Sequence, residues 1–268
     1  MPKLKFLLAP VLAFVGLFAT PAFADHLRPW GIWTQDPVTP VMEQITSLHN
    51  TLTVIIALIV LFVFGLLGYI CIRFHASRNP TPATFTHNAK LEIVWTLLPV
   101  VILVVIAFPS YRLLYAMDKA TNAEYTLKVT GHQWFWSYSY PDLNVAFDSN
   151  IVPDKEPHQL ATDNPVVLPV GAVIRIQVIG DDVIHSWAVP AFGVKIDAVP
   201  GRLAETWTRI DKPGTYYGQC SQLCGINHGF MPIEVKAVSK DEFKAWIAEH
   251  QGKQATLTPA VHLADARN

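Results

Sequence analysis

The distribution of apolar and polar positions divides the chain into a strongly apolar first part and a β-patterned second part. No charged residue occurs between Glu43 and Arg73, and residues 51–72 are almost continuously apolar, long enough to cross a hydrocarbon core of about 30 Å. Glu92 and Arg112 bracket a second uncharged run, residues 93–111. Pro99 and Pro109 fall inside it, where a membrane helix tolerates them because neighbouring groups satisfy the freed carbonyls. The two runs are predicted to form a transmembrane helical hairpin. The loop between them carries Arg73, Arg78 and Lys90 and no acidic residue, whereas residues 25–50 hold Arg28 against Asp25, Asp36 and Glu43. That bias places the loop in the cytoplasm and both mature termini outside.

A shorter apolar run, Phe6 to Phe18, follows Lys3 and Lys5 and precedes Ala22-Phe23-Ala24, the three-part pattern of a secretory signal cleaved before Asp25. Residues 1–24 are read as that signal and residues 25–120 as an N-terminal segment with the hairpin. From 121 to 238 the pattern changes to short alternating or β-branched stretches, with strands predicted at 125–130, 166–169, 173–179, 204–210 and 232–237. Pro169-Val170-Gly171, Pro200-Gly201 and Pro213-Gly214 mark turns between them, as in a β-sandwich. Residues 239–268 are read as a short amphipathic helix, 241–250, followed by a tail. Composition agrees: of 268 residues 51% are hydrophobic and only 15% charged, too apolar for an ordinary soluble domain.

The chemistry concentrates late in the chain. Cys220, Cys224, His228 and Met231 fall within twelve residues, and His185 lies one strand-length segment upstream. An exported cysteine pair is by default a structural disulfide. Two neighbouring histidines and the only methionine after Met117 turn the reading toward a metal. Zinc suits cysteine and histidine, but a thioether beside thiolates and imidazoles is a copper preference. A mononuclear blue-copper site needs a single cysteine, so two point to two coppers bridged by both sulfurs, with a histidine for each and weak ligands from Met231 and a loop carbonyl. One electron shared over two metals changes bond lengths little, which favours fast transfer. Cys71, inside the first apolar run, is read as packing.

Six stretches carry a family resemblance: G-H-Q-W-F-W-S-Y from Gly131, L-E-I-V-W-T-L-L-P from Leu91, P-S-Y-R-L-L-Y-A-M-D from Pro109, H-S-W-A-V-P from His185, K-I-D-A-V-P-G-R from Lys195 and the C-S-Q-L-C-G-I-N-H-G-F-M-P from Cys220 already described. Together they resemble subunit II of haem–copper cytochrome c oxidase across almost the whole mature chain. The resemblance implies a membrane-anchored all-β protein, a two-helix transmembrane hairpin followed by a cupredoxin-like Greek-key β-sandwich. It implies electron uptake from cytochrome c at a dinuclear copper centre and delivery to haem in subunit I, where oxygen is reduced and protons are pumped, with subunits I and III as partners in a bacterial inner membrane. No nucleic-acid partner is expected. A quinol-oxidase subunit would lack the copper ligands, and a nitrous-oxide-reducing enzyme would lack the spans. A membrane-tethered copper-delivery protein is the remaining alternative.

Residue by residue, the resemblance implies His185, Cys220, Cys224, His228 and Met231 as copper ligands by side chain and Gln222 by its backbone carbonyl. Trp134 matches the indole through which electrons arrive, and Glu92 the carboxylate at the mouth of a proton path. Where this chain has Gln222 the family usually has glutamate, which also binds a magnesium ion shared with subunit I, so that site is expected to be weakened here. Residues 122–238 carry twelve acidic and eight basic residues, a formal charge of −4 suited to a basic cytochrome c. Asp142, Asp148, Asp181, Asp182 and Asp197 are the docking candidates, although Ser139 stands where the family often has an acid.

Overall fold

The computed structural model describes residues 31, 33–118 and 122–257. The predicted signal segment, 1–24, and the last part of the tail lie outside the described residues. Helix α1, Pro40–Arg73, starts eleven residues before the predicted span because its first turns belong to the β domain and not to the membrane. Thr39 caps it, its hydroxyl accepting the Met42 N–H at 3.0 Å and donating to the Phe192 carbonyl at 2.8 Å. Helix α2, Ala89–Asp118, opens on Asn88, whose side chain accepts the Leu91 N–H at 3.2 Å, and runs through both prolines. At 1.5 Å per residue each helix is roughly 45 Å long or more, enough to span and to protrude. The most apolar window of each is wholly unburied in the chain itself. That leaves both faces for lipid or another subunit.

The second part is an all-β sandwich of ten strands, five more than the apolar pattern predicts. Strand β1 (Tyr125–His132) is central in a five-stranded sheet. It pairs antiparallel with β2 (Phe135–Tyr140), which carries β3 (Val145–Ser149), and parallel with β5 (Ile174–Gly180), which carries β8 (Ala204–Thr208). The other layer joins β4 (Val166–Pro169), β10 (Pro232–Val238) and β9 (Gly214–Gln219) in that order, and β6 (His185–Val189) with β7 (Val194–Ala198) forms a hairpin. Alternate residues of β5 are buried, while every residue of β6 is, so β6 has no two-residue rhythm to read.

Between the layers lie Trp136, Tyr138, Tyr140, Trp187, Phe192 and Tyr216 with many aliphatic residues. Their polar ends are satisfied inside: Trp187 Nε1 donates to the Tyr138 hydroxyl at 3.2 Å, and the Tyr140 hydroxyl donates to the Val167 carbonyl at 2.7 Å. Burial pushes both phenols far above their ordinary pKa. Helix α3, Lys240–Leu257, is longer than predicted and packs on the sandwich through Phe243 and Ile247. Ser239 and Glu242 cap it reciprocally, Ser239 N–H to carboxylate at 2.9 Å and Glu242 N–H to hydroxyl at 3.2 Å.

Both membrane helices are tied to the sandwich at the same end of the hairpin. The start of α1 meets the β6–β7 turn, and the Trp207 indole on β8 donates to the Ala116 carbonyl of α2 at 2.9 Å. The loop between the helices, 74–88, lies at their other end.

Candidate metal centre

Three connections converge at one end of the sandwich: the β1–β2 turn, the β5–β6 loop and the β9–β10 loop. His185, fully buried, opens β6. It fits because residue 131 is glycine: a Cβ there would lie 3.0 Å from the imidazole. Asp182 holds His185 Nε2 at 2.8 Å, which turns Nδ1 toward Cys220 Sγ, 4.0 Å away. This is the usual way a carboxylate orients a ligating imidazole.

Cys220 ends the β9 side of the third loop and Cys224 follows in its turn. Their sulfurs stand 3.9 Å apart, both thiols free, far beyond the ~2 Å of a disulfide. Cys224 Sγ lies 3.5 Å from His228 Nδ1 and 3.5 Å from Met231 Sδ. The Gln222 carbonyl is 3.3 Å from Cys220 Sγ. The donor atoms of His185, Cys220 and Cys224 all fall within 4.8 Å of one another, and all three residues are buried. Every residue predicted to ligate is thus brought to one place.

The electrostatics suit a cation. Burial would raise the Cys220 thiol, but the His185 imidazole and the backbone of Gln222 and Ser186 hold it down at about 6. Burial and the neighbouring Cys220 push Cys224 up to about 12. Two sulfurs this close cannot both become anions unaided, so a metal is what would let both deprotonate. Burial would lower His185, yet its hydrogen bonds to Cys220 and Asp182 raise it. Asp182 is raised by burial and lowered more by hydrogen bonds from His185 and from the Val183 and Gln133 N–H groups. Two thiols, two imidazoles, a thioether and a carbonyl make a soft donor set, which fits copper.

Trp134 lies against this loop, its Nε1 donating to the Cys224 carbonyl at 3.2 Å. Trp136, two residues on, is fully buried and donates to the Met231 carbonyl at 3.2 Å. Asp148 and Asp181 flank the turn through a chain of contacts: Asp181 to His132 Nδ1 at 3.3 Å, His132 Nε2 to Ser137 Oγ at 3.0 Å, and Ser137 Oγ to Asp148 at 2.6 Å. Asp197, opposite Ser186 on β7, pairs with Lys195 at 3.5 Å. Asp142 sits beyond the other end of β2, away from the ligands, and Glu92 is in the first turn of α2. Sequence reasoning missed Gln133, which holds the Cys224 carbonyl at 2.8 Å, and the inward role of Asp182. The D-V-I-H spacing, carboxylate three residues before histidine, was the signal for the latter.

An apolar helical hairpin carrying a β-sandwich, with a soft donor cluster between its end loops, defines a membrane-anchored cupredoxin-like protein. Residues 27–113 match the family profile of the cytochrome c oxidase subunit II transmembrane domain, and residues 125–238 match that of its periplasmic domain. A probable cytochrome c oxidase subunit 2 from Rickettsia felis is 53% identical over 232 residues, covering 84% of this chain and 74% of that protein. Cytochrome c oxidase subunit 2 from Cereibacter sphaeroides is 45% identical over 248 residues, 84% and 82% of the two chains. The crystal structure of the periplasmic domain of subunit II from Bradyrhizobium japonicum matches with a TM-score of 0.50 at 53% identity, covering 50% of this chain and 99% of that one. The chain belongs to the cytochrome c oxidase subunit II family, and so to an oxidoreductase complex of the membrane.

Proposed function

We propose that this chain takes electrons from cytochrome c on the outer face of a bacterial inner membrane and passes them to haem in subunit I, where oxygen is reduced to water with proton pumping. The observation that carries the reading is the pair of free sulfurs 3.9 Å apart, each with its own imidazole, His185 for Cys220 and His228 for Cys224. When bound, two coppers would supply a one-electron store spread over both metals. The protein's part is positional. Asp182 fixes the His185 tautomer, both thiols are buried, and Met231 and the Gln222 carbonyl approach the sulfurs as weak donors.

Trp134 touches the ligand loop from the side where Leu223 and Ile226 stand 77% and 86% exposed. That apolar surface, flanked by Asp148 and Asp181, suits a basic cytochrome c, acids steering the approach and apolar contacts closing it. Asp197, opposite Ser186, adds a further acid near the site, Asp182 is turned inward onto His185 and the Gln133 and Val183 N–H groups, and Asp142 contributes only to the long-range field. Glu92 is assigned to a proton path into subunit I, and subunit III completes the partner set. The common end at which both helices meet the sandwich supports outward mature termini, with residues 1–24 removed on export. Burial of His185 argues against copper delivery, which needs an exchangeable site.

The test is spectroscopic. Copper-loaded chain should show the near-infrared band and multiline electron resonance of a mixed-valence pair. A four-line blue-copper spectrum, or a zinc-only site, would refute the dinuclear reading.

A further inference from the structure

Two ligand loops distant in sequence meet at a residue outside the donor set, Gln133. Its backbone N–H donates to Asp182 Oδ2 at 2.7 Å, while the other oxygen of that carboxylate holds His185 Nε2 at 2.8 Å. Its side-chain amide donates to the Cys224 carbonyl at 2.8 Å, the same oxygen that accepts Trp134 Nε1. A continuous hydrogen-bonded chain therefore runs from one imidazole ligand through Gln133 to the loop bearing both thiols. The approach is written into the backbone as well: a Cβ at residue 225 would lie 2.9 Å from Trp134 Cζ2 and 3.2 Å from Gln133 Nε2, at a φ of +124°. Glycine at 225 is what lets both donors reach.

We propose that Gln133 is a positioning residue that braces the His185 loop against the cysteine loop and keeps the Trp134 indole on the Cys224 carbonyl. The functional consequence rests on the copper reading above; the brace itself does not. An amide is needed because a carboxylate at this position would face the carbonyl oxygen with lone pairs alone, whereas leucine offers similar bulk and no polar group. With the brace in place the donors are held before metal arrives, and Trp134 stays in contact with the ligand loop afterwards.

The test uses the full-length chain in detergent, metal-free, as wild type, Gln133→Leu, Gln133→Glu and a control, Gln177→Leu. Gln177 also donates a side-chain hydrogen bond, to Glu205 at 2.6 Å, but on the β5–β8 surface of the sheet. Amide hydrogen exchange is followed at Ser221, His228 and Phe230, whose N–H groups bond to the carbonyls of Ser186, Gly225 and Asn227. Both Gln133 variants should exchange about five- to tenfold faster there, the worth of one hydrogen bond, with β1 and β5 unchanged and the control matching wild type. Copper-loaded, the same two variants should lose metal to a chelator faster by a similar factor. Loop exchange equal to wild type overturns the brace, and so does an equal rise across β1 and β5, which marks general destabilisation. Should Gln133→Leu not fold, Gln133→Glu decides. Failure of wild type to bind copper refutes the copper reading alone and leaves the exchange test standing.

Discussion

At the end of the sandwich where β1 turns into β2, the buried side chains include the donors: beside Trp136, His185, Cys220, Cys224 and Met231 come together. At the opposite end, where β2 finishes and α3 packs, rings dominate, Phe243 and Tyr140 buried and Tyr125, Trp246 and His250 partly so. Phe243 meets Tyr125 edge-on with centroids 5.1 Å apart, Tyr140 and Trp246 are 5.7 Å apart, and Trp246 and His250 4.2 Å. The aromatic end is held by ring contacts, with the Tyr140 hydroxyl bonded to the Val167 carbonyl and His250 Nδ1 to the Trp246 carbonyl. The donor end is not complete in itself, because two thiols that close resist losing both protons. Fold and site are thus supported from different ends of one set of strands, and substitutions should separate them.

The largest effect is expected from Cys220→Ser or Cys224→Ser, since one thiolate cannot bridge two metals. The dinuclear spectrum and turnover should fall to background while the metal-free chain keeps its unfolding transition. Met231→Leu, which removes a weak donor, should retain copper with a shifted reduction potential. Full copper content and turnover in Cys220→Ser would rule out bridging.

The reverse separation comes from Phe243→Ala. Removing a ring only 1% exposed should cost about 3–5 kcal/mol of stability, read by denaturant unfolding of the metal-free chain. The copper spectrum of the molecules that remain folded should be unaltered. A changed spectrum would show that the two ends are coupled through the strands.

Much of this division was legible in the sequence. The spans announced themselves by uncharged length, and the candidate donor cluster by residue types that are seldom found together. The strands β4, β5 and β10 were found within a residue or so because β-branched runs mark them. The missed strands have physical reasons. Aromatic and small polar residues fill β2, F-W-S-Y-S-Y, where the buried members are large rings rather than aliphatics. The β6–β7 hairpin is buried on both faces of β6, and β9 carries two glycines. The early start of α1 was hidden because its first turns pack on protein, where Gly193 admits Met42 and Ile45 at close range. The Gln133 contacts were invisible since they join residues forty-nine and ninety-one positions apart.

Trp134→Phe is expected to act on neither end. It removes the indole N–H from the Cys224 carbonyl without touching a donor, so stopped-flow reduction by cytochrome c should slow severalfold with copper spectra and the internal step to haem nearly intact. Raising ionic strength should slow uptake further by screening the acids beside the turn. A salt-independent rate would remove the steering argument, and an unchanged rate in Trp134→Phe would leave the indole a packing role only.

The smallest effect on copper is expected at Gln222, the position of the cysteine motif where the resemblance leads one to expect glutamate. Its carbonyl lies 3.3 Å from Cys220 Sγ, and that contact belongs to the backbone, so any side chain preserves it. The side chain itself is exposed, placed where a partner subunit can reach it. A magnesium ion shared there would prefer a carboxylate, because a hard cation gains more from a charged oxygen than from an amide oxygen. Gln222→Glu should therefore leave the dinuclear spectrum as it is and tighten magnesium in the assembled complex. Manganese substituted for magnesium and followed by electron resonance measures that occupancy. Equal, tight manganese binding in both forms would show that the amide suffices, and a shifted copper spectrum would show that the side chain reaches the centre after all.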